Sequence, residues 1–154
     1  MKDLYDPFVR GGAPVLVMDN ASAEMFKCAA NSLLATKISF MNEIANLCES
    51  VGADVSLVRR GVGLDARLGM SFLYPGLGYG GSCFPKDVRS IIHTAAEAGL
   101  EFSLLKAVDE VNNRQKRRLF EKIFTHYNGD CPLLTSDASD DLTRVAYRRC
   151  RCAS

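Results

Sequence analysis

Cys83 stands in the run Gly76-Leu-Gly-Tyr-Gly-Gly-Ser-Cys-Phe-Pro-Lys-Asp87. The glycines Gly76, Gly78, Gly80 and Gly81 give the backbone freedom to turn sharply and to approach a ligand closely. Pro85 suits the first turn of a helix, where its missing N–H costs nothing. Val88, Ile91, Ile92 and Ala95 then recur at helical spacing, which predicts a helix over 87–98 stopped by Gly99. Cys83 is therefore expected at a helix N-terminus, where free N–H groups and the dipole favour a thiolate. Lys86 adds a positive charge nearby, and Asp87 a proton acceptor or orienting group. Such a sulfur suits nucleophilic attack on an electrophilic carbon. The plainer alternative is a tight turn with a buried, inert cysteine. The glycine loop, the helix start and the Lys86–Asp87 pair together outweigh it.

Gly76, Gly78 and Gly81 also spell G-x-G-x-x-G, the dinucleotide fingerprint. That fingerprint works only after a buried strand within a β-α-β unit. Tyr74-Pro75 precedes the glycines here and no strand of adequate length does, so the match is rejected. Lys27 and Asn31 lie four apart, on one face of a predicted helix, and interrupt an otherwise apolar surface. They are either a solvated edge or a polar pair pointed into a site. Arg67, in a predicted loop over 64–69, is a surface charge or an anion clamp. His93 and His126 lie on helices away from the cysteine loop in sequence. A free-standing thiol enzyme would therefore lack a base.

The elements that must position these residues are mainly helical. The 154 residues are near the size of one domain, and at 47% apolar they can build a core. A net charge of +1 gives no argument for nucleic acid or an anionic membrane, and no apolar run is long enough to span a bilayer. The opening residues are too polar for a signal peptide. Of the six cysteines, Cys28 and Cys48 fall in helical runs, and Cys150 and Cys152 form a C-x-C that is not a standard zinc spacing. Reduced thiols and a cytoplasmic protein are expected. The apolar run 14–18 reads as one buried strand, the last of something upstream. Residues 22–51 read as a long helix capped by Ser22 and ended by Gly52. Its apolar residues (Phe26, Ala30, Leu33, Leu34, Phe40, Met41, Ile44 and Cys48, with Ile38 and Ala45 further round) cover most of the circumference, which predicts burial against another subunit. Asp54 should cap a short helix over 55–62, with Val55, Leu57, Val58 and Val62 inward and Gly61 and Gly63 ending it. A long helix over 104–127 follows, capped by Ser103, with Arg114–Arg118 as a solvated face. Residues 128–154 show no sustained period and are expected to be an irregular tail.

Lys27-x-x-x-Asn31, Ser39-Phe-Met-Asn-Glu43, Gly52-Ala-Asp54, Asp65-x-Arg67-x-Gly69 and Gly78-Tyr-Gly-Gly-Ser-Cys-Phe-Pro-Lys-Asp87 resemble, in order and spacing, the central domain of the UDP-glucose/GDP-mannose dehydrogenase family. The resemblance covers roughly 14–127. It implies a mainly α, dimerising domain like the C-terminal domain of 6-phosphogluconate dehydrogenase, with one residual strand of a preceding Rossmann domain. Residues 1–20 would end the NAD-binding domain, 21–127 form the helical domain with the catalytic cysteine, and 128–154 the tail. The Ser-Cys-Phe-Pro-Lys-Asp form looks closer to the UDP-glucose enzymes than to the UDP-N-acetylmannosamine enzymes. GDP-mannose dehydrogenase carries a similar cysteine loop and is the nearest alternative.

The resemblance further implies NAD-dependent, two-step oxidation of UDP-glucose to UDP-glucuronate through a thiohemiacetal and a thioester on Cys83. Lys27 would stabilise the oxyanion, Asn31 hold a substrate oxygen or a water, and Asp87 join the proton and water network. Phe72, Leu73, Tyr74, Gly76, Gly78, Tyr79 and Gly80 would line the nucleotide-sugar pocket, backbone amides included. Arg67 would reach the neighbouring subunit's sugar across a homodimer built on the 22–51 helix. Lys86, beside Cys83, would contact the NAD phosphates. No metal, nucleic acid or membrane is implied. Too few residues precede Ser22 for a β-α-β unit, so the chain as given is expected not to oxidise UDP-glucose by itself. A non-catalytic helical dimerisation module is the competing reading from another class.

Overall fold

The computed structural model describes residues 15–126. The tail expected over 128–154, residues 1–14 and the C-x-C at Cys150 lie outside them. Four α-helices make up the described part: α1 Asn20–Val51, α2 Val55–Leu64, α3 Phe84–Glu97 and α4 Ser103–His126. The long α1 is the spine. α3 and α4 pack along it and against each other, and α2 packs back on it.

Local chemistry sets the ends. Asp19, not Ser22, caps α1: its carboxylate accepts the Ser22 N–H at 2.9 Å and the Ser22 hydroxyl at 2.7 Å. A carboxylate just before the helix can take both donors, so the serine is drawn to it instead of capping. Gly52 closes α1 at φ 72, the left-handed conformation that favours glycine. Asp54 caps α2 as expected, accepting from Ser56 and Leu57. Gly61 and Gly63 do not end α2; both lie inside it. Gly63 is there for space, since a Cβ would overlap the Met70 sulfur. Leu57, expected inward, is 66% exposed.

Val15–Met18 form no strand. An apolar run becomes a strand only when another strand pairs with it, and no strand lies among the described residues. The core instead joins Ala35 of α1, Val88 and Ile91 of α3, Leu105 and Val108 of α4, and Tyr79 of the glycine loop. Cys28, Ile38, Phe84 and Ile92 pack around it. α3 thus presents the predicted face, and its inner residues pull the loop before it onto α1. Among the described residues, no helix is long and apolar enough to cross a membrane.

Candidate active site

Cys83 is the N-cap residue of α3 and is exposed, as its place before Pro85 predicts. Its sulfur lies 3.7 Å from the Ser82 hydroxyl oxygen. One turn on, Asp87 accepts a hydrogen bond from Asn31 Nδ2 at 2.6 Å and meets Lys27 Nζ at 3.6 Å. Both members of the polar pair on α1 therefore meet the carboxylate that follows Cys83, Asn31 by a hydrogen bond and Lys27 with its side chain still 61% exposed. Asp87 is only 1% exposed. The Asn31 hydrogen bond holds its carboxyl below the ordinary carboxylate range, and the positive charges of Lys27 and Lys86 add to this against the opposing effect of burial. The result is an ionised, oriented carboxylate beside a mostly exposed ammonium.

The loop before Cys83 is built by side-chain amides. Asn42 of α1 accepts the Gly76 N–H at 2.7 Å, and Gln115 of α4 donates to the Gly76 carbonyl at 2.7 Å. Asn46 in turn donates to Gln115 at 2.9 Å. Asn112 of α4 takes the Tyr79 N–H at 2.7 Å and gives an N–H to the Tyr79 carbonyl at 3.0 Å. Sequence reasoning missed these four amides. Asn42 stood inside a quoted motif and Gln115 inside a run read as solvated; for the asparagines the signal available was a poor helix former in the middle of a helix, and Gln115 gave none. Arg114 and Arg118 of the same run pair with Glu43 and Glu49 of α1.

The predicted pocket residues divide. Leu73 and Tyr79 are both 3% exposed and belong to the interior, so they can offer a ligand little but backbone, and the Tyr79 N–H is already given to Asn112. Burial, with the Asp109 charge added, pushes the Tyr79 hydroxyl up to about 12. Phe72, at φ 63, sets its ring edge-on to Phe84. Tyr74 is exposed beneath the Arg59 guanidinium, 3.8 Å from its ring centre. Gly80 is exposed, and Lys86 is exposed on the first turn of α3. Arg67 is not drawn into this group: its guanidinium closes on Asp65 at 2.6 Å and is 87% exposed. No cluster of three potential metal ligands occurs among the described residues.

The profile of the UDP-glucose/GDP-mannose dehydrogenase family, central domain, matches residues 21–114. The chain belongs to that family. Within the UDP-glucose/GDP-mannose dehydrogenases, a UDP-glucose 6-dehydrogenase of Pseudomonas aeruginosa is 51% identical over 129 residues, 84% of this chain and 28% of the relative. The UDP-glucose 6-dehydrogenase TuaD of Bacillus subtilis is 52% identical over 125 residues, 81% of this chain and 26% of the relative. A solved UDP-glucose dehydrogenase of the hyperthermophilic archaeon Pyrobaculum islandicum shares the helical fold at a TM-score of 0.75 and 40% identity, covering 82% of this chain and 29% of that one. The chain thus spans less than a third of the length of these family members.

Proposed function

We propose that this chain is the central part of an NAD-dependent UDP-glucose 6-dehydrogenase in which Cys83 is the nucleophile. The observation that carries the reading is the convergence of Lys27 and Asn31 on Asp87, one helical turn after an exposed cysteine at the start of α3. The relatives' names supply the substrate. In this reading residues 21–127 act as one unit, and the alternative sugar is GDP-mannose.

The bond changes occur at sulfur. The Cys83 sulfur attacks the C6 aldehyde left by the first oxidation. A C–S bond forms, the carbonyl pair moves to oxygen, and that oxygen takes a proton to give a thiohemiacetal. Lys27 stands to stabilise the oxygen while it is negative. Asn31 gives one amide hydrogen to Asp87, which orients the rest of its amide toward a substrate oxygen or a water. After the second oxidation the carbon is a thioester. Water adds, the C–S bond breaks, and sulfur leaves and regains its proton as the carboxylate forms. Asp87, ionised, joins the proton and water network through Asn31, and the water's second proton leaves through that network to solvent.

NAD⁺ would accept a hydride in each oxidation. The described residues do not form its site: they contain no strand, hence no phosphate-binding strand–loop–helix, and Lys86 is a single charge. A dinucleotide site would have to come from outside residues 15–126. A cytoplasmic location accompanies the reading, because a thiol nucleophile must be kept reduced.

The homodimer belongs to the same proposal. Phe26, Leu33, Phe40 and Leu47 recur every seventh residue along α1 and are 60%, 63%, 53% and 57% exposed. A seven-residue repeat is one stripe on a helix, suited to a second copy of the same helix.

A chimera tests the chemistry. The matched segment of the Pseudomonas aeruginosa enzyme is replaced by that of this chain, and NADH and sugar acid are followed from UDP-glucose. The chimera should make UDP-glucuronate, and Cys83→Ala should stop it. A folded chimera that binds UDP-glucose without oxidising it, or one in which Cys83→Ala still makes the acid, would sink the reading.

A further inference from the structure

We propose that Asn112 is the positioning residue of the Cys83 loop, holding both backbone groups of Tyr79 and through them the place of the cysteine. The role rests on the reading of Cys83 as nucleophile only for its purpose. Asn112 sits in the middle of α4 and is 1% exposed. Its Oδ1 accepts the Tyr79 N–H at 2.7 Å, and its Nδ2 donates to the Tyr79 carbonyl at 3.0 Å. Two opposed bonds to one residue are what a hydrogen-bonded pair in an antiparallel ladder makes. The loop gains one such rung without any strand.

The fit is closed on the other side by glycine. Gly78 has φ +99, and a Cβ there would stand 2.5 Å from Asn112 Oδ1. Neither the backbone conformation nor the space admits a side chain, so the amide and the glycine fit each other. Tyr79 then passes the constraint on. Its ring lies 6.1 Å from that of Phe84, the residue after Cys83, and Phe84 meets Phe72 at 6.3 Å. Tyr79 and Phe84 are two fixed posts. Between them run Gly80, Gly81, Ser82 and Cys83, all exposed. A Cβ at Gly80 or Gly81 would meet nothing within 4 Å, so packing does not hold this stretch. Its posts do, and Asn112 fixes the first of them.

An apolar residue of similar volume could fill the same place in the core. Only a group that both donates and accepts can hold Tyr79 at two points. That difference separates positioning from mere burial.

The test uses the full chain without sugar or cofactor, by hydrogen exchange of residues 79–83 and by NMR of cysteine labelled with ¹³C at Cβ. Within 79–83, Asn112→Ala should speed exchange of the Tyr79 N–H, which Asn112 accepts, by roughly tenfold or more after correction for intrinsic rates, with peptides of α1 and α2 unchanged. The single Cys83 signal should broaden or split. Asn112→Asp at alkaline pH should loosen the loop part-way toward Asn112→Ala, because a carboxylate still accepts the Tyr79 N–H but cannot donate to its carbonyl and repels it. At acid pH the protonated carboxyl donates again, and slow exchange and the single signal should return. Gly78→Ala keeps Asn112 but pushes its amide off the Tyr79 backbone, and should reproduce the loosening even if Asn112→Ala does not fold. Unchanged exchange at 79–83 in a folded variant, an equal rise in every helix, or no acid rescue in Asn112→Asp would each overturn the proposal. Because no substrate is present, such a failure would leave the dehydrogenase reading standing, and an inactive chimera would leave this one.

Discussion

Asn31 on α1 donates a hydrogen bond to Asp87 on α3 over 2.6 Å. This contact ties the long helix to the first turn of the helix that begins at Cys83. It is also the main reason that the Asp87 carboxyl is held below its ordinary range, with Lys27 and Lys86 contributing and burial opposing. A carboxylate built this way serves the fold and, on the proposed reading, the site together. It locks α1 to α3 and places one ionised oxygen pair, of fixed orientation, beside Lys27.

Acid should therefore loosen this junction. A carboxyl whose pKa is lowered on folding contributes stability that is complete above its unfolded value and is lost as pH falls through the depressed folded value. Urea denaturation from neutral pH to pH 3 should show stability falling on the acid side. Asp87→Asn keeps an acceptor for Asn31 but no longer titrates, so its acid limb should be flatter than that of the wild type. Superimposable acid limbs would mean that Asp87 is not held as described.

The cysteines should differ in reactivity. Cys83 is exposed, Cys48 is 6% exposed inside α1, and Cys28 packs against the core. Iodoacetamide in native buffer, read by peptide mass spectrometry, should modify Cys83 at least ~10-fold faster than Cys48, since alkylation of a buried thiol waits for local opening. Equal rates at the two positions would remove the structural case for Cys83 as an accessible nucleophile.

Residue type and local spacing explain what was legible beforehand. Lys27 and Asn31 are one turn apart, and Cys83 and Asp87 span another, so each half of the site follows from helix geometry alone. That both halves meet on one carboxylate is a fact of packing between α1 and α3, which no local pattern carries. The same limit hid Asn42, Asn112 and Gln115. Their partners are backbone groups of a loop 33–39 positions away, and an amide bound to a distant peptide looks, in sequence, like one bound to water. It also misled at 15–18, where a segment without secondary structure has the same composition as a strand. The cap of α1 failed for a smaller reason: Asp19 and Ser22 are both good caps, and only the coordinates show which one accepts.

The α1 stripe should mediate self-association. Phe26, Leu33, Phe40 and Leu47 leave apolar surface along one side of α1 that nothing in the described chain covers. Sedimentation should find a dimer at micromolar concentration, and Leu33→Glu or Phe40→Glu should shift it to monomer by placing charge where two helices meet. Since both side chains are more than half exposed in the single chain, neither change should cost the monomer more than about 0.5 kcal/mol. A well-folded wild-type monomer at high concentration would count against the dimer.

Tyr79 gives the sharpest stability prediction. Its ring belongs to the core, but its hydroxyl is buried without a hydrogen-bond partner in the structure. Removing such a group relieves a desolvation penalty, so Tyr79→Phe should be neutral or stabilising by about 1 kcal/mol. Its pH dependence provides an independent check. Burial first, and the Asp109 charge second, push the hydroxyl up to about 12, while Arg89 works the other way. A pKa raised on folding means that the unfolded chain loses the proton first. The wild type should therefore hold the full contribution below the ordinary tyrosine value, near 10, and lose it as pH climbs toward 12. The loss should be on the order of 1–3 kcal/mol, and Tyr79→Phe should not show it. Urea denaturation of both proteins at pH 9 and pH 11 measures the difference directly. If the gap between them does not widen with pH in favour of Tyr79→Phe, then the hydroxyl reaches solvent or a partner, and Tyr79 is not the buried post that the loop requires.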